Sequence, residues 1–140
     1  MIRFVLDTDM VSLLQDRHPR VSARVRSYGA DEVATTVITV EEQLSAWYTL
    51  LRRARTARQL VPVYERMTLA IRFLSRLPLL TFTERAADVY ERLRRQKPRT
   101  GRMDLRIAAI VLAHGATLVT RNVTDFSDIE GLPVRDWSRP

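Results

Sequence analysis

The chain has 140 residues, 46% of them apolar and 28% charged, which fits a single domain over residues 1–140 and excludes a disordered, collagen-like or wholly coiled-coil protein. The absence of cysteine excludes disulfide frameworks, zinc ribbons, iron–sulfur clusters and thiol catalysis, so any metal would sit on oxygen or histidine. Twenty-three basic residues against 16 acidic ones give a net charge of +7, carried almost wholly by arginine, and point to a polyanionic or acidic partner.

Residues 2–6 form a short apolar run that stops at Asp7-Thr8-Asp9, the pattern of a buried strand whose carboxyl end presents acids. A helix is predicted from about Asp9, and Pro19 opens a second one through Tyr28, stopped by Gly29. The β-branched stretch 33–38 predicts a second strand, and Thr39 is placed to cap a helix from Val40 to about Thr56. The helical pattern weakens between Ala57 and Pro62. Apolar Val63, Met67, Ala70, Ile71 and Leu74 then space a further helix to about Arg76, and the two helices form a protruding antiparallel hairpin. Residues 78–81 predict a short strand, Thr83 caps a helix to about Gln96, and residues 98–101 break the chain. A helix over 102–114 ends at Gly115; a strand over 116–120, a polar turn through Asp125 and a short strand near Val134 complete the chain.

Strands alternating with helices imply an α/β fold with a mostly parallel central sheet flanked by helices, in which sites lie beyond the carboxyl ends of strands. The apolar opening is interrupted by Asp7 too early for a signal-peptide core, and no run approaches the roughly 18 apolar residues of a membrane span. A cytoplasmic protein with no membrane partner is expected.

Four carboxylates fall where this topology gathers side chains: Asp7 after the first strand, Glu42 on the helix after the second, Asp104 near a helix start and Asp125 after the fourth strand. Singly, each has an ordinary use, as a turn residue, a solvated helix acid, a first-turn acid favoured by the helix dipole, and an Asx-turn. Together they are costly, because two carboxylates about 4 Å apart repel by roughly 4 kcal/mol at an effective dielectric near 20. Such a cluster takes up cations or protons. Hard divalent ions held there would absorb the charge that phosphodiester hydrolysis builds on oxygen and would activate water. Arg92, Arg94, Arg95, Lys97, Arg99 and Arg102 form an acid-free basic run leading into Asp104, placed to grip a phosphate backbone beside the cut. The plainer use of that run is a solvated helix end. Arg52, Arg53, Arg55 and Arg58 make a second basic cluster on the hairpin, open to RNA, an acidic partner or water.

Phe4-Val5-Leu6-Asp7-Thr8-Asp9, Ile38-Thr39-Val40-Glu41-Glu42, Gly101-Arg102-Met103-Asp104 and Val119-Thr120-Arg121-Asn122-Val123-Thr124-Asp125, in this order across nearly the whole chain, resemble the PIN-domain ribonucleases and among them the VapC-type toxins. The resemblance implies a PIN-like fold, endoribonuclease activity, magnesium or manganese in an acidic pocket, a homodimer, and a cognate antitoxin whose tail covers the pocket. Carried over by motif, Asp7, Glu42, Asp104 and Asp125 are the implied acidic set, with Asp7, Asp104 and Asp125 on the metal and Glu42 on the ion or one of its waters. Thr8, Asp9, Thr120 and Asn122 are implied neighbours that orient water or ligands. Arg95, Lys97, Arg99 and Arg102 are the expected RNA-binding cations, with single-stranded or loop RNA as the target. Glu41 and Gln43 stand where the family usually has a small apolar residue and leucine, which leaves Glu41 open beside Glu42. Ala46 or Trp47 stands where the family often has glycine.

Two other readings start from the same residues. Val5-Leu6-Asp7-Thr8-Asp9-Met10-Val11 matches the Asp-x-Asp-x-Val opening of haloacid-dehalogenase-type phosphatases, but the only lysine, Lys97, lies in a Pro-flanked break rather than after a strand. A PIN-like module without activity, binding RNA or protein through its arginines or helices, is the second. His18 and His114 have no partner histidine at ligand spacing, and Trp47, Tyr48, Tyr64, Phe73 and Tyr90 lie on helical patterns typical of core or interface.

Overall fold

The computed structural model describes residues 1–140. Its strands are β1 (Phe4–Leu6), β2 (Val33–Thr36), β3 (Leu79–Leu80), β4 (Thr117–Val119) and β5 (Val134–Arg135), and its helices are α1 (Thr8–Gln15), α2 (Pro19–Arg26), α3 (Val37–Arg53), α4 (Ala57–Leu74), α5 (Glu84–Arg95) and α6 (Arg102–Ala113). All five strands are parallel, in the order β3-β2-β1-β4-β5. The chain winds outward from β1 through β2 to β3, then returns to the other side of β1 for β4 and β5. Strand order therefore reverses between β1 and β4, and in such sheets a crevice opens beyond the carboxyl ends at that point. Leu6 pairs with Val119, so Asp7 and Thr120 emerge side by side at its mouth.

Alternation along β1 sends Val5 to one face and Leu6 to the other. Val5, Ala34 and Leu118 pack against Ile107, Ala108, Ile110 and Val111 of α6 and Leu93 of α5. Leu6, Val33 and Val119 pack against Met10 and Val11 of α1, Val21 of α2 and Trp137 near the C-terminus. Each fully buried large aliphatic side chain contributes roughly 1.5–3 kcal/mol, so both helix layers are held firmly to a sheet of very short strands.

Two helices start well before the sequence expectation. The second strand ends at Thr36 rather than Ile38, because the Thr36 hydroxyl accepts from the Thr39 N–H at 3.3 Å and caps α3 three residues earlier than Thr39 would. The helix expected after Pro62 starts at Ala57, capped by Thr56, and runs through the proline. Pro62 removes one backbone donor, but it lies on an exposed face of the helix where water can serve the freed carbonyl. The α3–α4 pair forms the expected hairpin, and α4 leaves Val61, Tyr64, Leu69 and Ile71 exposed. No helix is long and apolar enough to cross a membrane.

Candidate active site

Asp7 leaves β1 with its N–H donating to the Val119 carbonyl at 3.1 Å, while its carboxylate accepts from the Met10 N–H at 2.9 Å and caps α1. Only 4% of the residue is exposed. Burial raises its pKa from the ordinary 3.8 to about 6, opposed by the Thr120 hydroxyl and the Met10 N–H and reinforced by the charges of Asp9 and Asp104. Thr120, fully buried at the exit of β4, also accepts from the Asn122 N–H at 3.0 Å. The Asn122 amide in turn donates to Asp9 at 3.0 Å, joining positions 113 residues apart. The strand exits thus bring Asp7, Asp9, Thr120 and Asn122 into one group, as their positions after strands imply.

On the opposite wall, the Thr8 hydroxyl donates to Glu42 at 2.6 Å and lies 3.1 Å from the Thr39 hydroxyl. Thr8 has one proton, spent on Glu42, so Thr39 is the donor to Thr8. The reciprocal amide pair Gln15–Gln43, at 3.2 and 3.1 Å, fastens α1 to α3 beside this contact. Glu41 is exposed and faces a groove lined by Val37, Val40, Leu44 and Tyr48. Glu42 is therefore the glutamate that enters the site.

Asp104 lies in the first turn of α6, half-buried. Its pKa is raised by burial first, then by the charges of Glu42, Asp125 and Asp9. Asp125 sits on a short 3-10 turn (Val123–Phe126), exposed at the rim. The buried Thr100 hydroxyl donates to its backbone carbonyl at 2.8 Å, tying that turn to the loop before α6. Asp7, Asp9, Glu42, Asp104 and Asp125 thus share one field. Asp9 belongs to it as a charge in its own right, a role beyond that of the orienting neighbour implied by its motif.

None of these five carboxylates has a basic partner: the ion pairs of the molecule are Met1–Asp31, Arg3–Glu32, Arg94–Glu91 and Arg139–Asp136. No three acidic or imidazole groups close around a common point as a finished ligand cage. Mutual repulsion favours spacing of this kind, and an all-oxygen donor set with two carboxyls held above their ordinary pKa suits a hard divalent cation. Asp7 is buried, Asp104 and Glu42 are half-buried, and Asp125 is exposed at the rim.

Arg95, Lys97, Arg99 and Arg102 are all exposed, and none is ion-paired. They separate into two groups. Lys97 and Arg102 line a cleft of about 430 Å³ between α5 and α6, together with Tyr90, Arg94 and Arg106. Arg95 and Arg99 lie outside it, and the Arg99 N–H donates to Asp128 at 2.8 Å. Arg106 was not among the expected cations, although its spacing of four from Arg102 puts both on one helix face.

The PIN domain family model matches residues 4–132, and the chain belongs to that family. It is 35% identical to Ribonuclease VapC2 of Rickettsia felis over 71 residues, a match spanning 48% of this chain and 53%, about half, of that protein. It is 23% identical to Ribonuclease VapC2 of Haemophilus influenzae over 98% of this chain and 99% of the relative. Among solved structures, VapBC-1 from nontypeable Haemophilus influenzae superposes with a TM-score of 0.73 at 26% identity, covering 99% of this chain and 100% of that one. VapBC2 from Rickettsia felis, bound to a DNA fragment from its promoter, gives a TM-score of 0.73 at 24% identity, covering 98% and 99%.

Proposed function

We propose that this protein is a divalent-cation-dependent endoribonuclease and the toxin of a type II toxin–antitoxin pair, neutralised by a cognate antitoxin. The observation carrying the reading is the like-charged pair Asp7 and Asp104, both with raised pKa and neither with a basic partner, at the mouth of the sheet crevice. Its support from relatives is that those with full-length or partial matches are named ribonucleases and that related structures are VapBC assemblies.

Asp7, Asp104 and Asp125 would hold Mg2+ or Mn2+, with Glu42 on the ion or one of its waters, and the bound cation supplies charge neutralisation and a water of lowered pKa. The chain's own groups set the stage for that chemistry. The Met10 N–H fixes the Asp7 carboxylate, Thr8 holds Glu42, and Asn122 turns Asp9. Arg95, Lys97, Arg99 and Arg102 draw in the RNA backbone. Water attacks phosphorus and the ribose 3′ oxygen departs, leaving a 5′-phosphate and a 3′-hydroxyl.

The test is cleavage of cellular RNA by purified protein with Mg2+ or Mn2+, with chelator, and with Asp104→Asn. Cutting that needs the metal and falls at least about 100-fold in the variant is the expected result. Equal cutting by Asp104→Asn overturns the proposal. Binding of RNA with no cutting under any metal would leave a PIN-like binding module instead.

A further inference from the structure

The cleft between α5 and α6 is lined by four cations and one aromatic ring. The guanidinium carbons of Arg94 and Arg106 lie 5.7 and 6.0 Å from the Tyr90 ring centroid, and Lys97 and Arg102 complete the lining. Arg106 is half-buried, and the only acceptor it meets is the weak Met103 sulfur at 3.5 Å. The sole acid engaged by this group is Glu91, on Arg94 at 3.5 Å with both side chains more than half exposed, a pairing that neutralises little. Lys97 holds φ at 48°, just past the end of α5, where glycine is the usual occupant. A cation therefore stands at a backbone position that disfavours it, over a cleft already short of anions.

We propose that this cleft is a phosphate subsite for the part of the RNA strand that flanks the bond being cut; it rests on the nuclease reading above. Arg102 and Arg106 are one helical turn apart on one face of α6, and Asp104, midway between them, projects toward the other. The cleft occupant is consequently a different group from the one at the carboxylates. Gly101, which precedes Arg102 and lies one turn before Asp104, is exposed, and an added Cβ there would meet nothing within 4 Å. A polymer with an anion at every unit can fill the cleft and still reach across Gly101. Planar guanidinium forks held against Tyr90 are preorganised for phosphate oxygens.

The probe is a single-stranded 2′-O-methyl oligonucleotide of about twelve nucleotides, titrated in chelator across a salt series. Arg94→Ala combined with Arg106→Ala is expected to weaken binding at least tenfold at about 0.1 M salt. It should also lower the slope of log K against log salt by about 1.4, two contacts' worth for a single strand. Arg20→Ala with Arg24→Ala, on α2, should change affinity less than about threefold. If the double variant melts early, Arg94→Gln with Lys97→Gln, both at exposed positions, reads the same loss. Unchanged affinity and slope in the cleft variants overturn the proposal, as does equally tight, Arg94- and Arg106-dependent capture of polyglutamate, which would make the cleft a site for an acidic protein. Because nothing is cut in chelator, the outcomes separate: cleft-dependent binding without nuclease activity under metal refutes only the nuclease reading, and metal-dependent cutting with cleft-independent binding refutes only the subsite.

Discussion

The Thr8 hydroxyl donates to the Glu42 carboxylate at 2.6 Å, joining the first turn of α1 to α3 across 34 positions of chain. Thr39, one turn before Glu42, feeds Thr8 from behind, so two threonines on two helices fix one carboxylate at the crevice mouth. Thr8→Val keeps the shape and removes the donor. The expected result is a loss of about 1–3 kcal/mol in stability, read by urea unfolding, and a fall in RNA cleavage of at least about tenfold. Thr8→Ser should restore most of both; a valine variant as active as the serine variant contradicts the role.

Asp7 gives the site a pH signature in stability. Its folded pKa of about 6 lies above the ordinary 3.8, so its contribution is fully present below about pH 4 and is lost as pH rises through 6. That difference is worth about 3 kcal/mol. Asparagine keeps the acceptor that caps α1 but has no charge to bury. In chelator, Asp7→Asn should match the wild type near pH 4, allowing for the cap, and exceed it by about 2–3 kcal/mol at pH 8. Asp104, also shifted upward, adds to the same trend. Parallel stability curves for wild type and Asp7→Asn would show that Asp7 is not strained in this way.

Glu41 and Glu42 are adjacent but face different surroundings. Glu42→Gln should reduce cleavage about 100-fold or more, whereas Glu41→Gln, in the exposed groove, should stay within about twofold of wild type. Initial rates on one RNA substrate distinguish them.

Lys97 offers a trade between stability and binding. Lys97→Gly relieves a left-handed backbone residue and should stabilise the fold by about 1 kcal/mol in urea unfolding, while weakening oligonucleotide affinity through the lost charge.

The parts of this molecule readable from sequence are those fixed by local pattern. Asp7 stands out because an apolar strand run ends on it, and Asp104 because Gly101 and the following apolar stretch mark a helix start. The exit of β2 was less legible, since Val37 and Ile38 are β-branched and continue a strand pattern that the Thr36 hydroxyl interrupts. Glu41 and Glu42 could not be separated without the phase of α3, which depends on that cap. Pro62 hid the start of α4 because its effect depends on facing water. The cleft that groups Lys97 and Arg102 with Arg94 and Arg106, and leaves Arg95 and Arg99 outside it, was not legible, because it exists only once α5 packs on α6 around Tyr90. The tie between the Asp125 turn and the loop before α6 was likewise invisible, being made by the Thr100 hydroxyl to a backbone carbonyl.

Asp7 and Asp9 at the start of α1, Glu42 on α3, Asp104 on α6 and Asp125 on the 3-10 turn form one electronegative cup, which on the proposed function a hard cation completes. Calorimetric titration of Mn2+ into chelator-freed protein at pH 6 and pH 8, in buffers of different ionisation enthalpy, tests it most directly. Saturable binding is expected, releasing about half a proton from Asp7 at pH 6 and almost none at pH 8, and weakened at least tenfold by Asp7→Asn or Asp104→Asn. No binding, or binding indifferent to both substitutions, would contradict it.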